Sequence, residues 1–304
     1  MTEPAATTVD RSGPLYALAA YGIWGVVPLY FVWVGFAGPF EILSHRILWS
    51  VVFLGVMLTA LRRWGTLRAL TPRAFGALLL SGVLIAGNWG VFVWAIANER
   101  LVQASLGYYL NPLVNVLLGV VLLSERLRPL QWLAVAIAAA AVAIEVGLHG
   151  GLPWVSLVLA FSFAFYGLVR KSVPVDPFIG LFIEVLLVSP LAFAYLWQLS
   201  AAGQSNTVAG DWWPFAQLAL GGFVTIVPLL CFAAAAARMP LAILGFYQYL
   251  APTLSLLLAT TVLGEPFDER QLTTFALIWL ALIVFSAEAW LQHRRRGAML
   301  VGST

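Results

Sequence analysis

Charged residues are scarce in this sequence. They make up 10% of its 304 residues, while 62% are hydrophobic and the mean hydropathy is +0.94. Soluble domains carry roughly a quarter charged residues, so this composition excludes an ordinary water-soluble fold. At about 20 residues for each membrane-spanning helix, the chain has room for about ten helices with short connections.

Cysteine, histidine and the common catalytic motifs are also missing or rare. The single cysteine, Cys231, excludes an internal disulfide and a cysteine-based metal cluster. The three histidines, His45, His149 and His293, lie on different predicted helices or at their ends. The sequence has no His-Glu-x-x-His zinc helix, no Gly-x-x-x-x-Gly-Lys phosphate loop and no Gly-x-Ser-x-Gly elbow. We therefore expect no metal, no cofactor and no enzymatic activity.

Long apolar runs fill the remaining sequence. They are about twice the length of a membrane-barrel strand and lack steady apolar–polar alternation, so they predict helices. The first run is longer than a signal-peptide core and is kept as a span. Residues 1–13 are predicted to be a tail before it, and residues 292–304 a basic tail after the last span. The ten predicted spans are 14–34, 39–61, 73–96, 104–123, 130–148, 152–169, 177–198, 212–236, 241–262 and 271–291.

Basic residues fall at the ends of the apolar runs and form no patch. The sequence pI of about 9.2 therefore indicates a membrane protein and not a nucleic-acid binder. With a cytoplasmic N-terminus, thirteen of the 16 Lys and Arg residues lie inside, Arg100 and Arg270 lie outside, and Arg46 lies within a span. The positive-inside rule then predicts that both termini are cytoplasmic. The cluster at residues 294–296 is expected to contact anionic lipid headgroups.

One stretch of sequence occurs twice, in the same frame. A proline, an apolar run, a glutamate and a glutamine recur 140 positions later: Pro112, Glu125 and Gln131, then Pro252, Glu265 and Gln271. A proline within a helix removes a backbone donor, so each copy is predicted to be bent or locally opened, with Pro112 and Pro252 as hinges. Glu125 and Glu265 are expected to cap or pair locally. Matching interrupted helices in two halves are typical of transporters with a central site.

The two halves are predicted to be inverted repeats. Each contains five spans, an odd number, so residues 14–149 and 150–291 insert with opposite topology. Two further pairs match more loosely: Pro39-Phe40 with Pro177-Phe178, and Trp24-Gly25 with Tyr166-Gly167. The predicted fold is an all-α polytopic membrane protein with ten transmembrane helices in two inverted five-helix repeats.

Charged side chains within spans are candidate site residues because they are costly in hydrocarbon. Arg46 lies about two turns into the second span, and Glu184 occupies the equivalent position of the seventh. One interpretation is a polar site or gate for a charged or zwitterionic solute, or for a proton. The alternative is local: Arg46 pairs with Glu41 or reaches interfacial water, and Glu184 bonds a neighbouring helix. His45 is more typical of a packed residue.

Aromatic and amide side chains beside the two prolines complete the candidate site. They predict an aromatic cavity for a small organic molecule, with interhelical hydrogen bonding and ring packing as the alternative. The predicted cavity residues are Arg46, His45, Asn88, Trp89, Tyr108, Tyr109, Asn111, Tyr166, Glu184, Tyr247, Gln248 and Tyr249.

Several of these stretches carry a family resemblance. Tyr21-Gly-Ile-Trp-Gly, His45-Arg46, Asn88-Trp-Gly, and Gly107-Tyr-Tyr-Leu-Asn-Pro with the following Glu-Arg-Leu at 125–127 resemble the RarD-like branch of the EamA-type drug/metabolite transporter superfamily. The resemblance covers nearly the whole chain. It implies a bacterial inner-membrane location, cytoplasmic termini and alternating access to a central cavity. It also implies export or permeation of small metabolites, amino-acid-like compounds or drugs.

A secondary transporter of small organic solutes is thus the leading prediction, with a lipid bilayer and a small-molecule substrate as its partners and no nucleic acid. Coupling to protons or another ion, and plain facilitated exchange, both stay open. A lipid flippase or a membrane sensor is the alternative. A flippase predicts a side groove open to lipid, whereas a carrier predicts a sealed central cavity. The two halves of any site differ chemically, because Ala251 occupies the position equivalent to Asn111 and Glu184 the position equivalent to Arg46.

Overall fold

The computed structural model describes residues 12–123, 129–149, 152–173, 175–207, 212–236, 238 and 247–301. Across these ranges the secondary structure is ten α-helices and one short 3-10 helix, without strands. The α-helices are α1 (Ser12–Trp33), α2 (Pro39–Ala60), α3 (Pro72–Ala97), α4 (Leu101–Leu123), α5 (Pro129–His149), α6 (Trp154–Ser172), α7 (Pro177–Ala201), α8 (Trp212–Ala236), α9 (Leu250–Thr261) and α10 (Glu269–Val301); the 3-10 helix is Trp64–Ala69.

Each predicted span overlaps one of these helices, which confirms the all-α prediction. By length and composition, α1, α2, α3, Phe178–Ala201 of α7 and Trp212–Phe232 of α8 could cross a membrane. The described apolar parts of α5, α6, α9 and α10 are shorter. The boundaries differ most in α10, which continues to Val301, through most of the segment predicted as a tail. Residues 241–246, at the start of the ninth predicted span, and Glu125 lie outside the described ranges.

Prolines begin four of the helices, α2, α3, α5 and α7, and two of these starts are the matching Pro-Phe pairs. A proline at the first helical position loses no hydrogen bond and has a helical φ. Pro39 starts α2 and Pro177 starts α7. The carboxylate of Asp176 caps α7 by accepting the amides of Phe178 at 3.0 Å and Ile179 at 3.3 Å.

The two prolines of the repeated stretch lie in different local structures. α4 continues through Pro112 to Leu123. In the second copy the chain forms a turn at Gln248 and Tyr249, and Pro252 follows in the first turn of α9. In the second copy α9 therefore begins only two residues before the proline.

The chain forms two compact units, each made from two separate stretches. Unit 1 is Met1–Leu70 with Val175–Leu254, and unit 2 is Thr71–Pro174 with Ser255–Thr304. In unit 1, α2 packs against α7 and α8, and α1 packs against α8. In unit 2, α3 and α4 pack against α6, and α5 packs against α10. Each unit contains helices from both predicted repeats. The boundaries of the compact units therefore differ from the boundaries of the sequence repeats.

A strained residue ends α2 and yields a stability prediction. Arg62 has φ 52°, and Gly203, at the corresponding place after α7, has φ 67°. A side chain in this left-handed region costs about 1 kcal/mol, which glycine avoids. We expect Arg62→Gly to raise the free energy of unfolding by about 1 kcal/mol, measured by denaturant titration in detergent micelles. Arg63→Gly, at a φ of −95°, is the control without this gain; equal effects of the two substitutions would contradict the strain.

Candidate functional site

A buried arginine joins three helices of unit 1. Arg46, on α2, is 6% exposed. Its Nε donates a hydrogen bond to Oγ1 of Thr225 on α8, and its guanidinium lies 5.6 Å from the centre of the Phe31 ring on α1. The Thr225 hydroxyl in turn donates to the carbonyl of Gly221 at 2.8 Å. The guanidinium is therefore held inside unit 1 by α8 and α1.

Two glycines allow the close approach of α8 to α2. A Cβ on Gly222 would lie 2.6 Å from the carbonyl carbon of Trp49, and a Cβ on Gly221 would lie 2.9 Å from the Tyr30 hydroxyl. That hydroxyl donates to the carbonyl of Gln217 at 3.0 Å. Only residues without a side chain permit this spacing, which brings Thr225 within reach of Arg46.

The other charged groups of α2 and α7 are also buried in unit 1. Glu41 is 1% exposed and accepts the backbone amide of Asn206 at 2.9 Å and its side-chain amide at 2.7 Å. Glu41 thereby fastens the loop after α7 onto the first turn of α2. Glu184 is fully buried on α7, which packs against α2. Two further ionisable residues of unit 1 thus share its interior with Arg46.

His45 occupies an aromatic environment. It is 6% exposed, and its ring lies 6.2 Å from that of Phe215 at 87°. Within the described part of the chain its Nε2 has no hydrogen-bond partner. The edge-to-face contact supports the packed alternative for this histidine.

A hydrogen-bonded amide joins three helices of unit 2. Asn88, on α3, is 1% exposed. Its Nδ2 donates to the carbonyl of Leu159 at 3.0 Å and to the Ser162 hydroxyl at 2.9 Å, both on α6. Its Oδ1 accepts the hydroxyl of Tyr108, on α4, at 3.2 Å. Both amide hydrogens are used within unit 2, so Asn88 ties helices together and orients Tyr108.

Each unit contains a cluster of aromatic rings. In unit 1, the Tyr21 ring centre lies 5.3 Å from that of Trp24 and 6.2 Å from that of Phe232, and Tyr247 packs against this cluster. In unit 2, ring-centre distances are 5.5 Å between Phe92 and Tyr108, 6.4 Å between Tyr108 and Phe163, and 5.8 Å between Phe163 and Tyr166.

The two aromatic clusters occupy equivalent positions of the two repeats. Phe163 and Tyr166 lie 142 positions after Tyr21 and Trp24, and Phe232 lies 140 positions after Phe92. The prediction from sequence pairs only Trp24 with Tyr166 and includes Tyr108 and Tyr247 as cavity residues, but it misses Phe92, Phe163 and Phe232. Continuing the same offsets along the neighbouring helices would have found them. The chemistry differs, because Gln248 stands where the unit 2 cluster has Tyr108.

Three further predicted residues, Tyr109, Asn111 and Trp89, are buried in unit 2. Tyr109 is 2% exposed and packs against Phe275 at 5.9 Å, on α10. Asn111 and Trp89 are buried within unit 2. The predicted cavity residues thus divide between the units: Arg46, His45, Glu184, Tyr247, Gln248 and Tyr249 belong to unit 1, and Asn88, Trp89, Tyr108, Tyr109, Asn111 and Tyr166 to unit 2.

Metal ligands do not cluster in the part of the chain that the structure describes. No group of three or more His, Cys, Asp and Glu side chains that could hold an ion is found there. The buried polar groups are instead arginine, carboxylates, amides and hydroxyls, placed between long apolar helices. This combination defines an all-α polytopic membrane protein.

Comparison with known proteins identifies the family. The model of the EamA-like transporter family matches residues 11–146 and again residues 151–287, so both halves of the sequence match. The chain belongs to the EamA-like transporter family and is a multi-pass bacterial membrane protein. The family match also supports the drug/metabolite transporter resemblance.

Curated relatives extend over almost the whole chain. It is 47% identical over 280 residues to an "Uncharacterized transporter" of Vibrio cholerae, covering 91% of this chain and 93% of the relative. It is 45% identical over 287 residues to "Protein RarD" of Escherichia coli K12, covering 94% and 97%. A chain of known crystal structure, 20% identical, superposes with a TM-score of 0.56 over 90% of this chain and 96% of that one, which shows a shared fold alone.

Proposed function

We propose that this chain is a secondary transporter of small organic solutes that works by alternating access. The observation that carries the proposal is the buried Arg46 on a helix that is otherwise apolar enough to span a membrane. Charge at such a position is costly and is retained where it serves transport. The buried Glu184 on the adjacent α7 supports the same interpretation. Membership of a transporter family provides the functional class.

Aromatic rings and hydroxyls favour organic solutes over inorganic ions. Tyr108 and Tyr166 in unit 2, and Trp24 and Tyr247 in unit 1, are only partly buried. Tyrosine and tryptophan offer a flat apolar face together with a polar group, which suits small organic molecules. The buried charges would hold a carboxylate, an amine or a proton during the cycle.

The test is solute exchange by the purified protein in proteoliposomes. Vesicles are loaded with a low-molecular-mass cell extract, and counterflow of externally added labelled extract is followed by mass spectrometry. Compounds that raise the melting temperature of the purified protein are tested singly, since only binding to the folded form does so. We expect exchange above that of protein-free vesicles. Scrambling of labelled phospholipid without solute exchange would favour a flippase instead.

The buried charges are tested by two substitutions. Arg46→Ala and Glu184→Gln are expected to lower counterflow by about tenfold or more, equivalent to at least one charge-assisted hydrogen bond. Both variants should still be recovered from the membrane fraction. Arg63→Ala, which removes an exposed arginine of the same unit, is the control and should retain the wild-type rate. Wild-type exchange by both buried-site variants would remove these residues from the transport site.

A further inference from the structure

The glutamate of the second repeated stretch binds the start of the first proline-containing helix. Glu265, just beyond α9, is 7% exposed. Its Oε1 accepts the backbone amide of Leu101 and its Oε2 that of Val102, each at 2.9 Å. These two amides lie in the first turn of α4, where intrahelical acceptors are lacking. A carboxylate there is stabilised by two charge-assisted hydrogen bonds and by the helix dipole.

The turn that follows α9 positions this carboxylate at the start of α4. Gly264 has φ 69°, a left-handed conformation that reverses the chain after the helix. The amide of Glu265 then donates to the carbonyl of Ala259 at 2.9 Å. The backbone of Glu265 is therefore fixed against α9 while its side chain reaches α4, across 164 positions of sequence. All of these residues belong to unit 2.

Three further contacts hold the following turns of α4. The hydroxyl of Ser156, on α6, donates to the carbonyl of Gln103 at 2.6 Å. A Cβ on Gly107 would lie 2.7 Å from the carbonyl oxygen of Ser156, so the two helix backbones touch there. The hydroxyl of Tyr108 donates to Asn88 at 3.2 Å. Residues 101–108 are thus tied to α9, α6 and α3 at successive levels.

The proline of α4 follows one turn after the last of these contacts. Pro112 has no amide to donate to the carbonyl of residue 108, so the helix is weakest there. The second copy shows a related arrangement along the chain: α9 passes from unit 1 to unit 2 at Leu254 and Ser255, just after Pro252. In the first copy the proline follows the last of these contacts, and in the second copy it precedes the change of unit by two residues.

We propose that Glu265 is a positioning residue that makes residues 101–108 a fixed segment, so that α4 rearranges during transport beyond it, at Pro112. The inference deepens the proposed function and rests on it. Glu265 does not touch the solute; it sets the orientation of the α4 segment that carries Tyr108. This glutamate was expected only to cap or pair locally, but it binds a helix that is distant in the sequence.

The first test is kinetic, with Glu265→Gln as the variant. Glutamine has one acceptor oxygen and places an NH2 group against a backbone amide, so one hydrogen bond is lost and one contact becomes repulsive. We expect the maximal counterflow rate to fall by about tenfold, the loss of one hydrogen bond to a charged group. The half-saturating solute concentration should stay within about twofold, because binding contacts are unchanged. The matched control is Glu99→Gln, an exposed carboxylate two residues before α4, which should leave the rate unchanged.

The second test is independent of any solute. Hydrogen–deuterium exchange of the purified protein should show the amides of Leu101 and Val102 protected in wild type. In Glu265→Gln at least one of the two should exchange at least about tenfold faster, since one of the two acceptor oxygens is lost. Residues 155–160 of α6 should keep their protection. If Glu265→Gln is not recovered, Glu265→Asp, which keeps the charge but is one carbon shorter, should show the same changes in smaller measure.

Distinct outcomes separate this inference from the proposed function. An unchanged counterflow rate, a loss confined to the half-saturating concentration, or unchanged exchange at residues 101 and 102 would each overturn the role of Glu265. Absence of solute exchange by the wild-type protein would instead overturn the proposed function, while the hydrogen-exchange result would still decide whether the carboxylate fixes α4.

Discussion

Gly222→Val is expected to lower the free energy of unfolding by about 3 kcal/mol or more, the upper end of what overpacking costs. The first added atom, Cβ, would lie 2.6 Å from the carbonyl carbon of Trp49 and 2.8 Å from the amide nitrogen of Ser50. Both are backbone atoms of α2, which cannot turn aside as a flexible side chain can. The helices α2 and α8 must therefore separate. The measurement is reversible unfolding of the purified protein in mixed micelles.

The same separation should also affect Arg46. Thr225, one turn along α8, would move away from the guanidinium that it binds. The matched control is Gly22→Val on α1, in the same unit, where a Cβ would meet no atom within 4 Å. That substitution should change stability by only about 0.5 kcal/mol. Equal effects at Gly22 and Gly222 would show that helix propensity, and not the contact with α2, determines the outcome.

Asn88→Ala is expected to lower the free energy of unfolding by about 2 kcal/mol. It removes three interhelical hydrogen bonds, and such bonds average roughly 0.6 kcal/mol each in membrane proteins, to which a small cavity adds. The carbonyl of Leu159 and the hydroxyl of Tyr108 both lose their hydrogen bond to Asn88. Thermal unfolding in detergent, without any solute, measures the effect.

Two substitutions calibrate the role of Asn88. Tyr108→Phe removes one of the three bonds and should cost about 0.6 kcal/mol. Asn98→Ala removes an exposed amide that bonds only within its own helix, to Trp94, and should cost less than about 0.5 kcal/mol. If Asn88→Ala kept wild-type stability and lost only solute binding, the asparagine would be a ligand of the solute and not a structural tie.

The roles of Glu41 and Glu265 show where sequence reasoning reaches its limit. For Glu265 the sequence predicted a cap or a local pair, and for Glu41 it offered only the alternative that it pairs with Arg46. The structure connects Glu41 to Asn206 and Glu265 to Leu101 and Val102, more than 160 positions away. A carboxylate binds the free amides that helix packing brings close to it. The helical periodicity of the sequence does not predict which amides these are.

The aromatic clusters could have been predicted more fully than they were. The offsets of 140 and 142 positions that relate the repeats also relate Phe92 to Phe232 and Tyr21 to Phe163. Their distances within each unit depend on packing and could not be read in this way. The sequence repeat predicts which residues are equivalent in the two halves, but it does not predict which of them are in contact.

The sequence by itself determined the membrane class, the helices and the twofold repetition, because hydropathy, proline position and residue offsets are properties of the chain order. Only the tertiary structure decided that the compact units combine helices from both repeats. It alone showed that Arg46 binds Thr225 on α8. The physical reason is that a buried polar group must find a partner among the groups nearest in space, and these come from helices far apart in sequence.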